Sequence, residues 1–367
     1  MNIVAAPNAF KPDYATPPGS TLLEWLEDAG MTQSELAQRL DKSEKFVSQL
    51  VHGRAPLSRK VAIDLESVTR IPAKMWNRLE TNYRDTLDTL ERDEQPLDAD
   101  QEGWLECMPT AWLRKHGFIT ADKRHPKRLY DQVLAFFQVA SPEAWDRTWN
   151  TPGVAAFRKS PTFSTDTSAV ATWLQTGRLL AAECRVSAYY PAELRTRLAA
   201  IRALTLKVDL LAALTEKATS LLAEAGVVLV FAPTPPKVAC SAATQWHGGR
   251  PTILMSLRYT SDDHIWFSLF HEIGHVLLDP NIDTIEGDAW EDSEDSEDRA
   301  NAFARDILIP RKFEPDLAQI KSLDAAKRFA SEIGVAPGIL VGRLQHDGRW
   351  TYKTGNHLKK RLKWASS

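Results

Sequence analysis

Two histidines four residues apart, His271 and His275, enclose Glu272 in the segment His-Glu-Ile-Gly-His. Residues i and i+4 share one face of an α-helix, so both imidazoles can bind one divalent ion while the glutamate lies close enough to hold a water there. Apolar residues flank the segment on both sides, which predicts a buried, rigid helix. The pattern is typical of zinc hydrolases. The alternative is a core helix whose histidines are only hydrogen-bonded.

Catalytic zinc sites usually have three protein ligands and leave a fourth position for water. Residues 293–310 carry apolar side chains at helical spacing and end in a proline, which predicts a second amphipathic helix. Glu297 lies on the apolar stripe of this helix and is the predicted third ligand, whereas Glu294 competes one turn further out and Asp298 points to the side. Asn301, one turn later, is predicted to hydrogen-bond the site.

Such a centre predicts peptide-bond hydrolysis, with Glu272 taking a proton from water and passing it to the leaving amine. Two histidines and a glutamate would bind Zn²⁺, and would also accept Mn²⁺ or Fe²⁺. Candidate oxyanion stabilisers precede the motif: Tyr259, His264 and His247. A lone histidine or tyrosine is more often an ordinary surface or core residue.

The motif resembles that of the ImmA/IrrE metallopeptidases, as do two later segments, 297–304 (Glu-Asp-Arg-Ala-Asn-Ala-Phe-Ala) and 308–310 (Leu-Ile-Pro). The resemblance implies a catalytic base at Glu272. It also implies a zinc-binding set that consists of His271, His275 and Glu297. This set agrees with the one that helical spacing predicts.

The segments before the motif are also similar to these proteins, which have a small sheet there. Residues 226–231 and 251–257 have the pattern of short buried strands. One departure is Trp266, where many members have an arginine. The resemblance therefore implies no substrate contact at that position.

The N-terminal part of the chain predicts four or five short helices between residues 20 and 70. The predicted helix caps are Ser20, Thr32 (in a capping box with Glu35), Ser43 and Ser58. The helices 32–40 and 43–52 have helix-turn-helix spacing, in which the second helix is the recognition helix.

A DNA-binding surface is predicted around that second helix, whose first residues would face base edges while neighbours reach phosphates. The predicted contacts are Gln33, Lys42, Ser43, Glu44, Lys45, Ser48, Gln49 and Arg54. Residues 30–60 hold six basic and three acidic side chains, and the net charge of the chain is −3, so any DNA contact must be local. A small bundle that only dimerises is the alternative.

Three segments, 18–23, 31–37 and 76–83, resemble XRE-type DNA-binding domains, and more narrowly HigA-type antitoxins. The resemblance spans roughly residues 15 to 85. It implies operator DNA as a partner and a homodimer that binds two half-sites.

The predicted fold class is mainly α with a small β-sheet (α+β): an N-terminal helix-turn-helix bundle, a helical middle region and a C-terminal zincin-like metallopeptidase domain. The predicted domains are 15–87 (helix-turn-helix), 88–224 (helical connecting domain), 225–355 (metallopeptidase) and 356–367 (basic tail). Most of the middle is predicted to be tryptophan-rich core, and segments 156–160 and 171–174 look similar to longer fusions of these two domains. The basic tail is predicted to be solvated, as are most carboxylates between residues 286 and 298.

Composition predicts a cytoplasmic protein. No apolar run approaches the roughly 18 residues of a membrane span, and the start of the chain lacks the pattern of a signal peptide. Three widely spaced cysteines argue against a disulfide framework and against a cysteine-based zinc site.

Together these features predict a DNA-binding regulator with a zinc endopeptidase domain. The resemblance implies a protein substrate, a helix-turn-helix repressor or an antitoxin, that is cleaved in response to stress or phage. A second copy of this chain is an alternative substrate. One alternative is a transcription regulator or antitoxin whose peptidase-like domain senses a ligand without turnover. Another is a protein whose middle region binds a cognate toxin. Retention of Glu272 favours the enzyme, since a sensor would not need it.

Overall fold

The computed structural model describes residues 14–149, 166–207, 209–256, 258–287 and 294–362. Three segments considered above lie outside these ranges in part or whole: residues 156–160, residues 288–293 of the acidic run, and residues 363–367 of the basic tail. The described chain divides into two compact units, one with residues 14–102 and 120–132, the other with residues 103–119 and 133–362. The predicted class, mainly α with a small sheet, is confirmed.

The first unit begins with a bundle of short helices around one apolar core. Its helices are α1 (Pro18–Asp28), α2 (Gln33–Arg39), α3 (Glu44–Val51), α4 (Arg59–Thr69) and α5 (Ala73–Asp93). Leu36, Val47, Leu65 and Trp76 are fully buried in this core. These positions follow the 3.6-residue period of each helix, so the bundle is held by the apolar stripes that the sequence shows.

Side-chain caps begin three of these helices as predicted. The hydroxyls of Thr32, Ser43 and Ser58 each accept a hydrogen bond from the backbone N–H three residues later, at 3.1, 3.1 and 3.3 Å. The predicted capping box is half formed, because the carboxylate of Glu35 accepts a hydrogen bond from Arg39. The cap at Ser20 is wrong: α1 begins at Pro18, since a proline at the first helical position is already fixed at a helical φ.

The chain between the bundle and the sheet is mostly helical, as predicted. It contains α6 (Ala99–Glu106), α7 (Thr110–Lys115), α8 (Pro126–Phe137), α9 (Pro142–Trp149), α10 (Thr167–Ala182), α11 (Pro191–Ala203), a 3₁₀ turn (Leu204–Leu206), α12 (Leu210–Ala212), a π-helical turn (Ala213–Ala218) and α13 (Thr219–Glu224). Trp145 and Trp149 pack edge-on against Phe137, with ring centroids 5.7 Å away in each case. This aromatic cluster is the tryptophan-rich core that the sequence predicts.

A four-stranded sheet supports the part of the second unit that carries the His-Glu-Ile-Gly-His motif. Its strands are β1 (Val228–Ala232), β2 (Cys240–His247), β3 (Arg250–Ser256) and β4 (Thr284–Gly287), in the order β1-β3-β2-β4. β1 and β3 pair in parallel, and β2 is antiparallel to both β3 and β4. β1 and β3 match the two strands that the sequence predicts, whereas β2 and β4 were not predicted.

On this sheet packs α14 (Asp262–Leu278), which contains the His-Glu-Ile-Gly-His motif, and against α14 packs α15 (Glu294–Leu308), which ends shortly before Pro310 as predicted. They are followed by a 3₁₀ turn (Arg311–Phe313), α16 (Glu314–Leu317), α17 (Leu323–Ile333), α18 (Pro337–His346) and a 3₁₀ turn (Asn356–Leu358). Within the described ranges, no helix is both long and apolar enough to span a membrane.

Part of the basic tail is packed, so the prediction of a solvated tail is wrong for Lys359, Lys360 and Leu362, whereas His357 and Arg361 are exposed. The ammonium of Lys359 lies 2.6 Å from a carboxylate oxygen of Asp263, at the start of α14. The backbone N–H groups of Asp262 and Leu362 donate to carbonyl oxygens of Lys360 and Thr260. This segment therefore satisfies polar groups at the N-terminus of the motif helix.

Candidate metal centre

His271, His275 and Glu297 meet at the contact between α14 and α15, and one ligand atom from each lies within 4.8 Å of the others. The Nε2 atoms of the two histidines are 2.9 Å apart. The carboxylate oxygens of Glu297 lie 3.1 Å from each of these nitrogens. Both imidazoles are buried, and the glutamate side chain is 16% exposed. The three residues proposed as ligands are thus brought together on two neighbouring helices.

The two helices run antiparallel and approach each other closely at Gly274, inside the motif. A Cβ at this position would lie 3.2 Å from the Cα of Ala300 and 3.2 Å from the ring of Phe303. The absence of a side chain therefore lets α15 come near enough for Glu297 to reach both histidines. The glycine of the motif has a packing role that is separate from any chemistry.

Each histidine is oriented by a hydrogen bond at its Nδ1 atom. His271 Nδ1 lies 3.1 Å from the side-chain oxygen of Asn301, the residue predicted to hydrogen-bond the site. His275 Nδ1 lies 3.1 Å from a carboxylate oxygen of Asp279. Carboxylate and amide oxygens only accept hydrogen bonds, so each Nδ1 atom can donate to its partner, and in that tautomer both Nε2 atoms would offer lone pairs to a metal. Such partners commonly fix the tautomer of metal-binding histidines.

Asp279 is the centre of a small buried network that the sequence reasoning missed. One of its carboxylate oxygens accepts hydrogen bonds from His275 and from the hydroxyl of Ser296 at 2.7 Å, and the other lies 2.6 Å from the guanidinium of Arg299. Burial alone would raise the pKa of Asp279, but the hydrogen bonds outweigh it and lower this pKa below its usual value. The carboxylate therefore stays ionised and keeps the His275 tautomer fixed.

The charges at the centre favour a cation. Burial would raise the pKa of Glu297, but hydrogen bonds with His271 and His275 outweigh this effect and hold the pKa at about 2. Burial would lower the pKa of His275, yet the neighbouring Glu297 and Glu272 raise it. An anionic carboxylate thus faces two imidazole nitrogens, and this arrangement attracts positive charge.

A divalent metal fits this arrangement of donors. With both Nδ1 atoms donating, two nitrogen lone pairs and a carboxylate converge on one point, which is repulsive unless positive charge lies between them. Two histidines and one glutamate form a known catalytic zinc set that leaves a position for water. The donor chemistry also suits Mn²⁺ or Fe²⁺, so it defines a divalent-metal site and does not select one ion.

Glu272, the proposed base, is fully buried on α14 beside the ligands. Its Oε2 atom accepts a hydrogen bond of 2.6 Å from the hydroxyl of Thr244, on β2. Thr244 itself is fully buried. This contact crosses from the sheet to the helix, so the unpredicted strand β2 fixes the orientation of the Glu272 carboxylate.

Two of the candidate oxyanion stabilisers lie together. The rings of Tyr259 and His264 stack with their centroids 4.8 Å apart, and both line a cavity that extends along α14. His247 lies at the end of β2, half-buried, where burial and the nearby Arg178 lower its pKa. It does not line that cavity, and the role of all three residues stays a prediction.

Trp266, the point of departure from the ImmA/IrrE pattern, is fully buried in the core. Its side chain is therefore not accessible to a substrate. The family's arginine at this position has no counterpart here, and the structure gives the tryptophan a packing role.

The predicted DNA-contacting residues surround the start of α3. Glu44, Lys45 and Arg54 are exposed. Others already have partners within the bundle: Ser43 caps α3, Lys42 lies 3.8 Å from Asp64, and Glu44 accepts a hydrogen bond from Ser34. Gln33, Ser48 and Gln49 are partly exposed. Their contacts with DNA stay predictions.

The chain thus contains a helix-turn-helix bundle and a domain with a candidate His-His-Glu metal centre. Comparison with family models agrees: residues 22–75 match the helix-turn-helix family, and residues 223–345 match the IrrE N-terminal-like domain of the M78 peptidases. The chain therefore carries an XRE-type helix-turn-helix domain and an IrrE-like M78 peptidase domain, the fusion that the sequence motifs indicate. No curated protein matches it.

Proposed function

We propose that this chain is a DNA-binding regulator whose M78-type domain is a zinc-dependent endopeptidase. Its proposed substrate is a helix-turn-helix repressor or an antitoxin, a second copy of the chain included, in a response to stress, phage or a toxin. The observation that carries the proposal is the buried Glu272 carboxylate, held by Thr244 next to the three metal-binding residues. Burying a carboxylate is costly, and a domain that only bound metal would not need it.

The residues support a simple division of roles. Bound zinc would polarise the scissile carbonyl and lower the pKa of a water. Glu272 would accept the proton of that water and deliver it to the leaving amine nitrogen, while Thr244 keeps the carboxylate oriented. With metal bound, Asn301 and Asp279 would hold the two imidazoles in the tautomer that leaves both Nε2 atoms free of protons.

The decisive experiment compares the zinc-loaded wild type with Glu272→Gln. Each is incubated with itself and with the proteins encoded beside it, and the products are read by intact mass. We expect a discrete cut with the wild type and a rate that is about 10²–10⁴-fold lower in the variant, because a positioned general base contributes that much. Zinc content and DNA binding should be equal in the two proteins.

Intact proteins in both incubations, with zinc bound, would contradict turnover. The domain would then act as a ligand sensor or as a toxin-binding module. Toxin binding should survive Glu272→Gln, whereas proteolysis should not.

A further inference from the structure

The strand β2 carries polar side chains on both faces of the sheet. Thr244 points to the face that carries α14, where its hydroxyl donates a hydrogen bond to Glu272. Successive side chains of a strand point to opposite faces, so Gln245 and His247 point away from the candidate metal centre. These two side chains therefore belong to a second group of polar residues.

The helix α10 packs on this second face. A Cβ at Gly177 would lie 2.6 Å from the side chain of Leu254, on β3. Leu254 pairs with Ala243, whose side chain is on the same face as that of Gln245. The guanidinium of Arg250, at the start of β3, donates to a main-chain carbonyl oxygen near the end of α10 at 3.3 Å. This face of β3 is thus packed against the C-terminal half of α10.

Four polar side chains here each have a buried atom without a hydrogen-bond partner in the described part of the chain. These atoms are Nε of Arg178, on α10, Oε1 of Gln245, Nε2 of His247 and Oγ1 of Thr252, which pairs with Gln245. Gln245 is 2% exposed and Thr252 is fully buried. Buried polar groups are normally hydrogen-bonded, so several unpaired ones on α10, β2 and β3 indicate a site for a polar ligand.

The charges of this group favour an anion. The guanidinium of Arg178 stacks on the ring of Trp149, with its central carbon 4.3 Å from the ring centroid. Burial lowers the pKa of Arg178, although Asp283 raises it, and an arginine stays protonated in either case. Arg178, Asp283 and Arg250 are all close enough to His247 to shift its pKa. Two cations and one carboxylate leave positive charge in excess.

Solvent reaches this group from the hairpin between β2 and β3. Gly248 and Gly249 are exposed, and a Cβ on either would meet nothing within 4 Å. His247 and Arg178 are partly exposed. A small molecule can therefore approach beside His247.

We propose that Arg178, Gln245, His247 and Thr252 form a binding site for the oxyanion of a small molecule, a carboxylate or a phosphate. The guanidinium of Arg178 donates from its Nε edge, since a planar guanidinium pairs with two oxygens of one oxyanion. The amide of Gln245, the imidazole of His247 and the hydroxyl of Thr252 supply further donors. The site lies on the face of the sheet away from the candidate metal centre, so the inference does not depend on the proposed peptidase function.

The test uses the full chain, loaded with zinc, and follows histidine ring signals by NMR at constant ionic strength. The probes are acetate, inorganic phosphate and acetamide, which has the shape of acetate without its charge. We expect a saturable shift of the His247 signal with acetate or phosphate and none with acetamide. The tighter of the two oxyanions identifies the ligand class. The signals of His271 and His275 report anions that bind the zinc, so the two sites are read separately.

Two variants change the charge of the site in opposite directions. Arg178→Gln removes the guanidinium and should weaken oxyanion binding by about tenfold or more. Asp283→Asn removes a negative charge but keeps the oxygen that accepts a hydrogen bond from the backbone N–H of Trp246 at 2.8 Å. It should tighten binding by about threefold. Arg185→Gln, which changes an exposed arginine just after α10, is the matched control and should bind as the wild type does.

Three results would overturn the proposal. The first is the absence of a His247 shift with both oxyanions, which would leave water as the partner of these polar groups. The second is an equal shift with acetamide, and the third is an affinity that Arg178→Gln leaves unchanged. If Arg178→Gln fails to fold, Asp283→Asn decides alone, since Asp283 is exposed. Unchanged or weaker binding in Asp283→Asn would then overturn the proposal, and tighter binding would support it.

Discussion

The candidate metal centre and the helix-turn-helix surface differ in how much the structure says about their roles. At the metal centre, the polar groups of His271, His275 and Glu272 are buried, and each is fixed by a partner. On the helix-turn-helix surface, Lys45 and Arg54 are exposed, and water can satisfy them in many orientations. Buried polar groups must be compensated, so their geometry can indicate a ligand. Exposed polar groups indicate a ligand only when the whole domain resembles a family that binds one.

The largest expected effect comes from a substitution that disturbs helix packing inside the helix-turn-helix bundle. In Gly19→Ala, the new Cβ would lie 1.9 Å from the carbonyl oxygen of Val51, a clash between α1 and α3. We expect the free energy of unfolding of the helix-turn-helix bundle to fall by about 3 kcal/mol or more, because backbone cannot yield as a side chain can. Chemical denaturation followed by tryptophan fluorescence would measure it.

A control for the type of substitution is Gly103→Ala on α6, in the other unit, since a Cβ there meets nothing within 4 Å. It should leave stability unchanged or raise it by up to about 1 kcal/mol, because alanine favours the helix more than glycine does. Zinc binding should be the same in both variants. A Gly19→Ala protein as stable as the wild type would contradict the close helix packing.

The next effect tests which carboxylate binds the metal. Glu297→Gln should weaken zinc binding by more than about 100-fold, beyond what the loss of an outer hydrogen-bond partner costs. Asp298→Asn changes the neighbouring carboxylate, which is exposed on α15, and should have no effect. Zinc content after dialysis against a chelator would measure both. If Glu297→Gln keeps its zinc while Glu294→Gln loses it, Glu294 is the third ligand.

A smaller effect is expected from Asp279→Asn. The amide keeps the shape but loses the charge that fixes the tautomer of His275, so zinc affinity should fall about 10–100-fold. Arg299→Gln removes only the half-exposed partner of Asp279 and should cost less than about fivefold. Competition with a fluorescent zinc chelator would measure the two affinities. Equal effects would mean that the Arg299 pair, and not the carboxylate itself, orients His275.

The sequence could predict those features that depend on local spacing. The motif helix, its partner helix and the helix-turn-helix caps depend on spacings of three or four residues, which the sequence shows directly. Asp279 follows His275 by four residues, so the same spacing could have found it. Thr244 could not be found in this way, because it contacts Glu272 across 28 residues from a strand of small and polar side chains.

Two other misses differ in their physical origin. The Gly248-Gly249 pair has positive φ angles of 59° and 77° and joins β2 to β3 as a tight hairpin turn, a signal that could have predicted β2. The packed tail has no such local signal, because Lys359 is held by Asp263, far away in sequence. Contacts of this kind depend on tertiary structure, which no local pattern encodes.

The smallest expected effect tests the exposed side of the comparison. Arg54, just after α3, is predicted to contact a DNA phosphate, and Arg54→Ala should weaken binding similarly for every sequence. The slope of the logarithm of affinity against the logarithm of salt concentration should decrease by about 1, as one phosphate contact is lost. Fluorescence anisotropy with a random-sequence duplex at several salt concentrations would measure it. Arg39→Ala, which removes an exposed arginine paired with Glu35 on α2, should leave the slope unchanged. Equal slopes for wild type and Arg54→Ala would remove Arg54 from the predicted DNA surface. Zinc binding depends on buried groups and should not respond to either substitution.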